Sequence, residues 1–130
     1  MNIFDIAGRA MSAQLVRLNA TASNMANAGT ITGDEKTAYR AIKPVFQTIT
    51  DGPGIATVKV DKVVQSDTAP VKRHDPGHPL ADANGDVWEA GVDSSAEMVE
   101  MIETARQYQN NVQVLQTAKS LMLDTIRMGK

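Results

Sequence analysis

The sequence of 130 residues contains no cysteine and only five aromatic side chains, Phe4, Tyr39, Phe46, Trp88 and Tyr108. Without cysteine there is no disulfide scaffold, thiol nucleophile or cysteine-ligated zinc. So few rings leave a single domain of this length poorly supplied for a core of its own, which argues against an elaborate enzyme and a self-sufficient globule. Long apolar runs are missing too. None approaches the ~20 residues of a membrane-spanning helix, and the opening Met1-Asn2-Ile3-Phe4-Asp5 lacks the basic and unbroken apolar regions of a cleaved signal peptide. The formal net charge is −2, and a slightly acidic chain offers no basic face for nucleic acid.

What charge there is lies mostly in the middle. Residues 30–93 hold seven basic and ten acidic side chains, whereas Arg17 is the one charge from Ala10 to Gly33 and Lys119 the one from Gln107 to Leu123. Both charge-poor stretches are helical in pattern. A solvated amphipathic helix sets Lys and Glu opposite its apolar stripe; here the opposite face carries Asn, Ser, Thr, Gln and Ala, which suits contact with other protein.

Phe4, Ala7, Met11, Leu15, Leu18, Ala22 and Met25 recur at an average of 3.5 residues, the spacing of a coiled-coil seam. Asn2 is placed to cap the start, and Gly29 to stop the helix in the left-handed conformation, so a helix is predicted over about 3–28. Met98, Met101, Ala105, Tyr108, Val112, Leu115, Met122 and Ile126 keep the same rhythm, with Lys119 at the one charged seam position. Ser94-Ser95-Ala96-Glu97 reads as a capping box, and the predicted helix over about 95–127 would be ~50 Å long. A compact chain of this size has a radius of gyration of only ~14 Å, so the molecule is expected to be elongated.

Between the helices the pattern changes to strands and turns. Pro44–Ile49 and Val58–Val63 alternate as half-exposed strands around the turn Asp51-Gly52-Pro53-Gly54. Residues 74–86 are rich in Pro, Gly and Asp and are expected to be loop, followed by a short strand at 86–89; Thr30–Lys36 is expected to be an exposed, mobile connector. The fold class is therefore mainly α with a small β region, two long terminal helices paired as a coiled coil around a hairpin-rich insert. Residues 1–29 and 94–130 form one helical unit in this reading, with 30–93 inserted between them.

The loop invites chemistry but does not support it. Pro76-Gly77 between His74 and His78 excludes the helical spacing that would aim both imidazoles at one metal. Asp82-Ala83-Asn84-Gly85-Asp86 opens like a calcium loop, yet the sixth position is Val87 and the twelfth Asp93, where glycine and glutamate belong. Ser94 and Ser95 lack a nucleophile elbow, and no glycine-rich loop carries a lysine at phosphate-binding spacing. No catalytic residue, metal or cofactor is expected.

The run Leu18-Asn19-Ala20-Thr21-Ala22-Ser23-Asn24-Met25-Ala26-Asn27-Ala28-Gly29 resembles the N-terminal signature of the flagellar rod, hook and hook-associated axial proteins. The stretch Glu97 to Asn111, with its Met-Val, Arg106-x-Tyr108 and Asn positions, resembles the C-terminal signature of the same family. Asn2–Ala7, the loop Asp75-Pro76-Gly77-His78-Pro79-Leu80 through Gly85, and Leu115–Leu123 are most similar to the proximal rod branch. Two departures stand out: Ala90-Gly91 occupies the place of a Pro-Asn pair before the last helix, and Gly29–Asp34 lacks the proline of a Thr-Pro-Gly turn.

The resemblance implies a structural subunit of the basal-body rod, exported unfolded by the flagellar type III apparatus and assembled helically in the periplasm to transmit torque. Its partners would be other rod proteins, further copies of itself, and the membrane ring, export apparatus and hook–basal body components. Subunit contacts are then expected from Phe4, Met11, Leu15, Leu18, Asn19, Ser23, Asn24, Met25 and Asn27 on the first helix. On the second they are expected from Met98, Met101, Ile102, Arg106, Tyr108, Asn111, Val112, Leu115, Lys119, Met122 and Ile126, with Asp75, Pro76, Gly77, His78 and Pro79 as the family loop. The alternative is a coiled-coil adaptor or secreted interaction protein using the same faces for a single partner.

Overall fold

A computed structural model describes residues 1–129. Helix α1 spans Ile3–Asn27. Strand β1 (Ile31–Thr32) and a 3₁₀ turn at Glu35–Thr37 lead into β2 (Ile42–Thr50) and β3 (Ala56–Gln65); β4 (Val71–His74) and β5 (Asp86–Glu89) follow, and α2 runs over Ser94–Met128. At 35 residues, α2 is about 52 Å long.

Asn2 caps α1 as expected: its Oδ1 accepts from Asp5 N at 3.0 Å while Asp5 Oδ2 accepts from Asn2 N at 3.1 Å, joining two otherwise orphaned amides in a reciprocal box. The other end corrects the expectation. Gly29 has no positive φ; Ala28 stays right-handed, and the freed carbonyl of Asn27 accepts from both Thr30 N at 3.1 Å and Thr30 Oγ1 at 2.8 Å. The predicted Ser94 box is also replaced. Asp93 is the cap, its carboxylate accepting from Ser95 N and Ala96 N, because a full negative charge at a helix N-terminus gains more from the dipole than a hydroxyl.

The hairpin β2–β3 lies along α1 with its tip near the start of the helix, where Met1 N meets Asp51 Oδ2 at 3.0 Å and Thr57 Oγ1 donates to Ile6 O at 3.3 Å. Its strands are longer than alternation alone predicted, because pairing continues from Ile42↔Gln65 to Thr50↔Ala56 past a bulge at Val45/Phe46. A second antiparallel sheet, ordered β1-β5-β4, closes the insert. Here too the structure differs from the sequence reading: Thr30–Lys36 is an ordered strand and turn rather than a mobile connector, and His74 ends a strand rather than beginning the loop. Strands β1 and β4 are too short to show alternation, and pairing to β5 on both sides supplies their backbone hydrogen bonds.

The two helices are antiparallel. Gln14 Nε2 donates to Gln107 Oε1 at 2.9 Å, and Arg17 pairs with Glu100 at 2.5 Å. These contacts fix a rotation of α2 that the apolar rhythm missed. The inward positions are Glu97, Met101, Thr104, Tyr108, Asn111, Leu115 and Ala118; of the expected seam, Met101, Ala105, Tyr108, Val112 and Leu115 stay half-buried, while Met98, Lys119, Met122 and Ile126 turn to solvent, Met98 53% exposed and Ile126 55%. Leu15 and Met122 are likewise exposed. The buried apolar residues are mostly alanine, and Val87, Asn24 and Thr104 are the largest side chains sealed from solvent. A core this thin brings the backbones close and leaves the large aliphatic side chains outside.

Candidate assembly surface

The inner side of the surface is a polar lock between α1 and the insert. Asn24, 1% exposed, accepts from Ile42 N at 2.8 Å and donates to Ile42 O at 3.0 Å. Its side chain thereby acts as the strand partner that the start of β2 lacks. Tyr39 Oη donates to Asn24 Oδ1 at 2.8 Å and stands 3.1 Å from Ser23 Oγ, which leaves the serine as donor to the phenol oxygen. Asn27 Nδ2 donates to Ser23 O at 2.8 Å. Three polar residues of the Ser-Asn-x-Ala-Asn run therefore work within the chain. Tyr39 and Ile42 were not legible as site residues, because their partners are reached only through the fold.

Gly91 completes the lock from the other direction. Its amide donates to Tyr39 O at 2.8 Å and its carbonyl accepts from Ala41 N at 3.2 Å, an isolated parallel bridge between the Tyr39 segment and the start of α2. A Cβ at Gly91 would stand 2.4 Å from Thr68 O. A glycine at this position is thus required by close backbone approach.

The family loop is built on β4 and β5. Asp75 N donates to Gly85 O, His78 N to Asp75 O, and His78 Nδ1 accepts from Leu80 N at 3.0 Å. Gly85 takes φ 78° against Pro76 and His74, while Pro79 and Gly77 lie exposed at the tip. Asp86 is buried and accepts from His74 Nδ1 at 3.0 Å and Lys72 Nζ at 3.3 Å. The His74 hydrogen bond, with Lys72 second, holds its carboxyl below the usual carboxylate range against an opposing effect of burial. His74 and His78 thus serve the loop separately, and no cluster of three His, Asp or Glu arranged for a metal occurs among the described residues.

The outer side is apolar and open. Phe4, Met11, Leu18, Met25, Met101, Tyr108, Asn111, Val112 and Leu115 are half-buried between the elements, whereas Asn19, Ile102, Arg106 and Lys119 face solvent. Every residue from Lys119 to Gly129 is exposed, including Leu121, Met122, Leu123, Ile126 and Met128. This follows from the pairing register: Gln14 opposite Gln107 places the beginning of α1 near residue 118 of α2, so the last turns project past their partner. No helix among the described residues is long and apolar enough to cross a membrane. An apolar projection of this kind marks an interaction surface.

Comparison with known proteins decides which. The family model described as flagella basal body rod protein matches residues 4–31, and that described as flagellar basal body rod FlgEFG protein C-terminal matches residues 83–128. Over 132 aligned residues the chain is 48% identical to the flagellar basal-body rod protein FlgC of Salmonella typhimurium, covering all of this chain and 98% of that protein. The chain belongs to the FlgC family. FlgC of Yersinia enterocolitica is 50% identical and FlgC of Buchnera aphidicola subsp. Acyrthosiphon pisum 40%, each over all of this chain and 98% of the relative. The FlgC family consists of rod proteins of the flagellar basal body, so this chain is a structural subunit, and the exposed helix faces belong to an assembling protein.

Proposed function

We propose that the chain is built into the proximal rod of the flagellar basal body, where its terminal helices pair as a coiled coil, pack in helical array with other rod subunits, and transmit torque. The observation that carries this reading is the apolar projection at the end of α2, where Leu121, Met122, Leu123, Ile126 and Met128 are exposed and find no partner among the described residues of their own subunit. A charge buried at such a contact would cost several kcal/mol unless paired, whereas Asn, Gln and Thr meet hydrogen bonds at lower cost. Residues 1–29 and 94–130 act together as the axial unit, with 30–93 as an insert locked to it through Asn24 and Gly91. The unpartnered turns of α2 order fully on assembly, since helix stability in proteins comes chiefly from packing. Export runs through the flagellar type III apparatus in this reading, and no side chain is given a catalytic role.

Imaging of purified basal bodies, with the chain carrying a small epitope tag in the exposed Pro53 turn, tests the reading. The tag is expected at the periplasmic rod below the hook. A stable, fully helical oligomer in solution and no tag in the basal body would instead establish the adaptor.

A further inference from the structure

Glu97 is the one buried carboxylate on the inward face of α2, 7% exposed, and it makes no side-chain hydrogen bond or ion pair among the described residues. It lines a groove of about 390 Å³ between α1, α2 and β2, together with the apolar Ile42, Pro44 and Phe46 and the Arg17–Glu100 pair. Lys43 stands at the same groove without forming an ion pair to Glu97. The Glu97 oxygens are not sealed from solvent, so this open, partly apolar groove offers a carboxylate without a counter-charge to a cation carried on an apolar segment.

The chain itself carries such a segment. Leu123 and Arg127 are one helical turn apart on α2, with Ile126 beside them; the aliphatic residues are exposed, and Arg127 has only a 4.0 Å contact to Asp124. Its own groove is out of reach, because thirty residues of one helix separate Glu97 from Arg127, about 45 Å. A planar guanidinium is also better suited than an ammonium to a carboxylate in a partly apolar site. We propose that the projecting end of α2 of one copy seats in the α1–α2–β2 groove of the next, with Arg127 against Glu97 and Leu123 and Ile126 against Phe46 and Pro44. This contact joins two different patches and does not close on itself, so it repeats along a helical assembly. The proposal rests on the rod reading and names the partner of its exposed helix end as a second copy of the same chain.

The chain has no native cysteine, which permits a direct test. With Ala96→Cys and Met128→Cys in one chain, oxidised basal bodies are expected to yield a ladder at multiples of 14.0 kDa, with neither single variant doing so. Immunoblotting the same basal bodies for the chain separates the two readings: subunits present without a ladder overturn this contact and leave the rod assignment standing, while absence of the wild-type chain from basal bodies overturns the assignment. A cross-link to a protein of another mass overturns the identity of the occupant. Should the cysteine variant fail to incorporate, charge exchange reads the same contact. Glu97→Arg and Arg127→Glu are each expected to lose motility and together to regain it; no rescue by the pair overturns the proposal.

Discussion

Asn24 and Ile42 exchange two hydrogen bonds, one in each direction, at 2.8 and 3.0 Å. The carboxamide is the only side chain that can donate and accept in the plane that a backbone strand would occupy, which explains an asparagine at a position 1% exposed. Asn24→Asp keeps the acceptor and turns an oxygen toward Ile42 O, so the insert is expected to lose about 2–4 kcal/mol at neutral pH. Protonating the aspartic acid restores a donor, and part of the loss is expected to return below about pH 4. Urea unfolding followed by the fluorescence of Trp88 measures both.

Gly91 tests close approach rather than hydrogen bonding. Gly91→Ala places a methyl group 2.4 Å from Thr68 O and 3.0 Å from Ala69 C, both backbone atoms, and is expected to destabilise the insert by about 1–3 kcal/mol. Gly29→Ala is the control: its Cβ meets nothing within 4 Å and its φ is not positive, so it is expected to be neutral or to stabilise by about 0.5 kcal/mol. Equal effects of the two substitutions in the same unfolding assay would remove the steric account of Gly91.

These two residues also show what the sequence could reveal and what it could not. Local signals were sufficient for the helix boundaries, the Asn2 cap and the Gly52–Gly54 hairpin turn, because each arises from residues a few positions apart. The α2 seam was legible from Met101 to Leu115 but not at Met98 or beyond Ala118. Methionine, leucine and isoleucine at a period of 3.5 identify an apolar face without saying whose partner it is, and in this chain the inward face is set by Arg17–Glu100 and Gln14–Gln107, contacts separated by 83 and 93 residues. Asn24 was legible as part of a family signature, yet its partners Tyr39 and Ile42 were hidden, because the polar lock exists only after the chain has doubled back. The Asp93 cap was missed for a simpler reason: a neighbouring serine pair matched the better-known pattern.

Asp86 supplies a prediction in pH. His74 first and Lys72 second favour its ionised form, so the folded chain holds this carboxyl below the ordinary aspartate value of 3.8. The stability it contributes is fully present above that value and is lost as pH falls through the lower folded one. In a carbon-detected NMR titration the Asp86 midpoint is expected below 3.8, and His74→Ala should raise it more than Lys72→Ala. Asp86→Asn should remove this part of the acid dependence of β4–β5 amide protection. A midpoint at the ordinary value in the wild type would show that the hydrogen bond to His74 gives no net preference for the charged form.

Folding and assembly separate on the two faces of α2. Leu115 is half-buried against the rest of the chain, so Leu115→Asp sets a charge in the helix seam and is expected to cost several kcal/mol in the subunit as well as incorporation; Leu18→Asp does the same from α1. Leu121 is 62% exposed, and an exposed substitution is worth within about 0.5 kcal/mol of stability. Leu121→Asp is therefore expected to leave subunit unfolding unchanged yet keep the chain out of the rod, because the same side chain becomes buried among neighbours. All three chains should still appear among exported proteins, because the substitutions act on packing rather than on export. Measuring Trp88-monitored unfolding, secretion into the medium and basal-body content on the same set of strains distinguishes the roles. Normal motility with Leu115→Asp would exclude a packed helix seam, and normal motility with Leu121→Asp would return the projecting end of α2 to solvent.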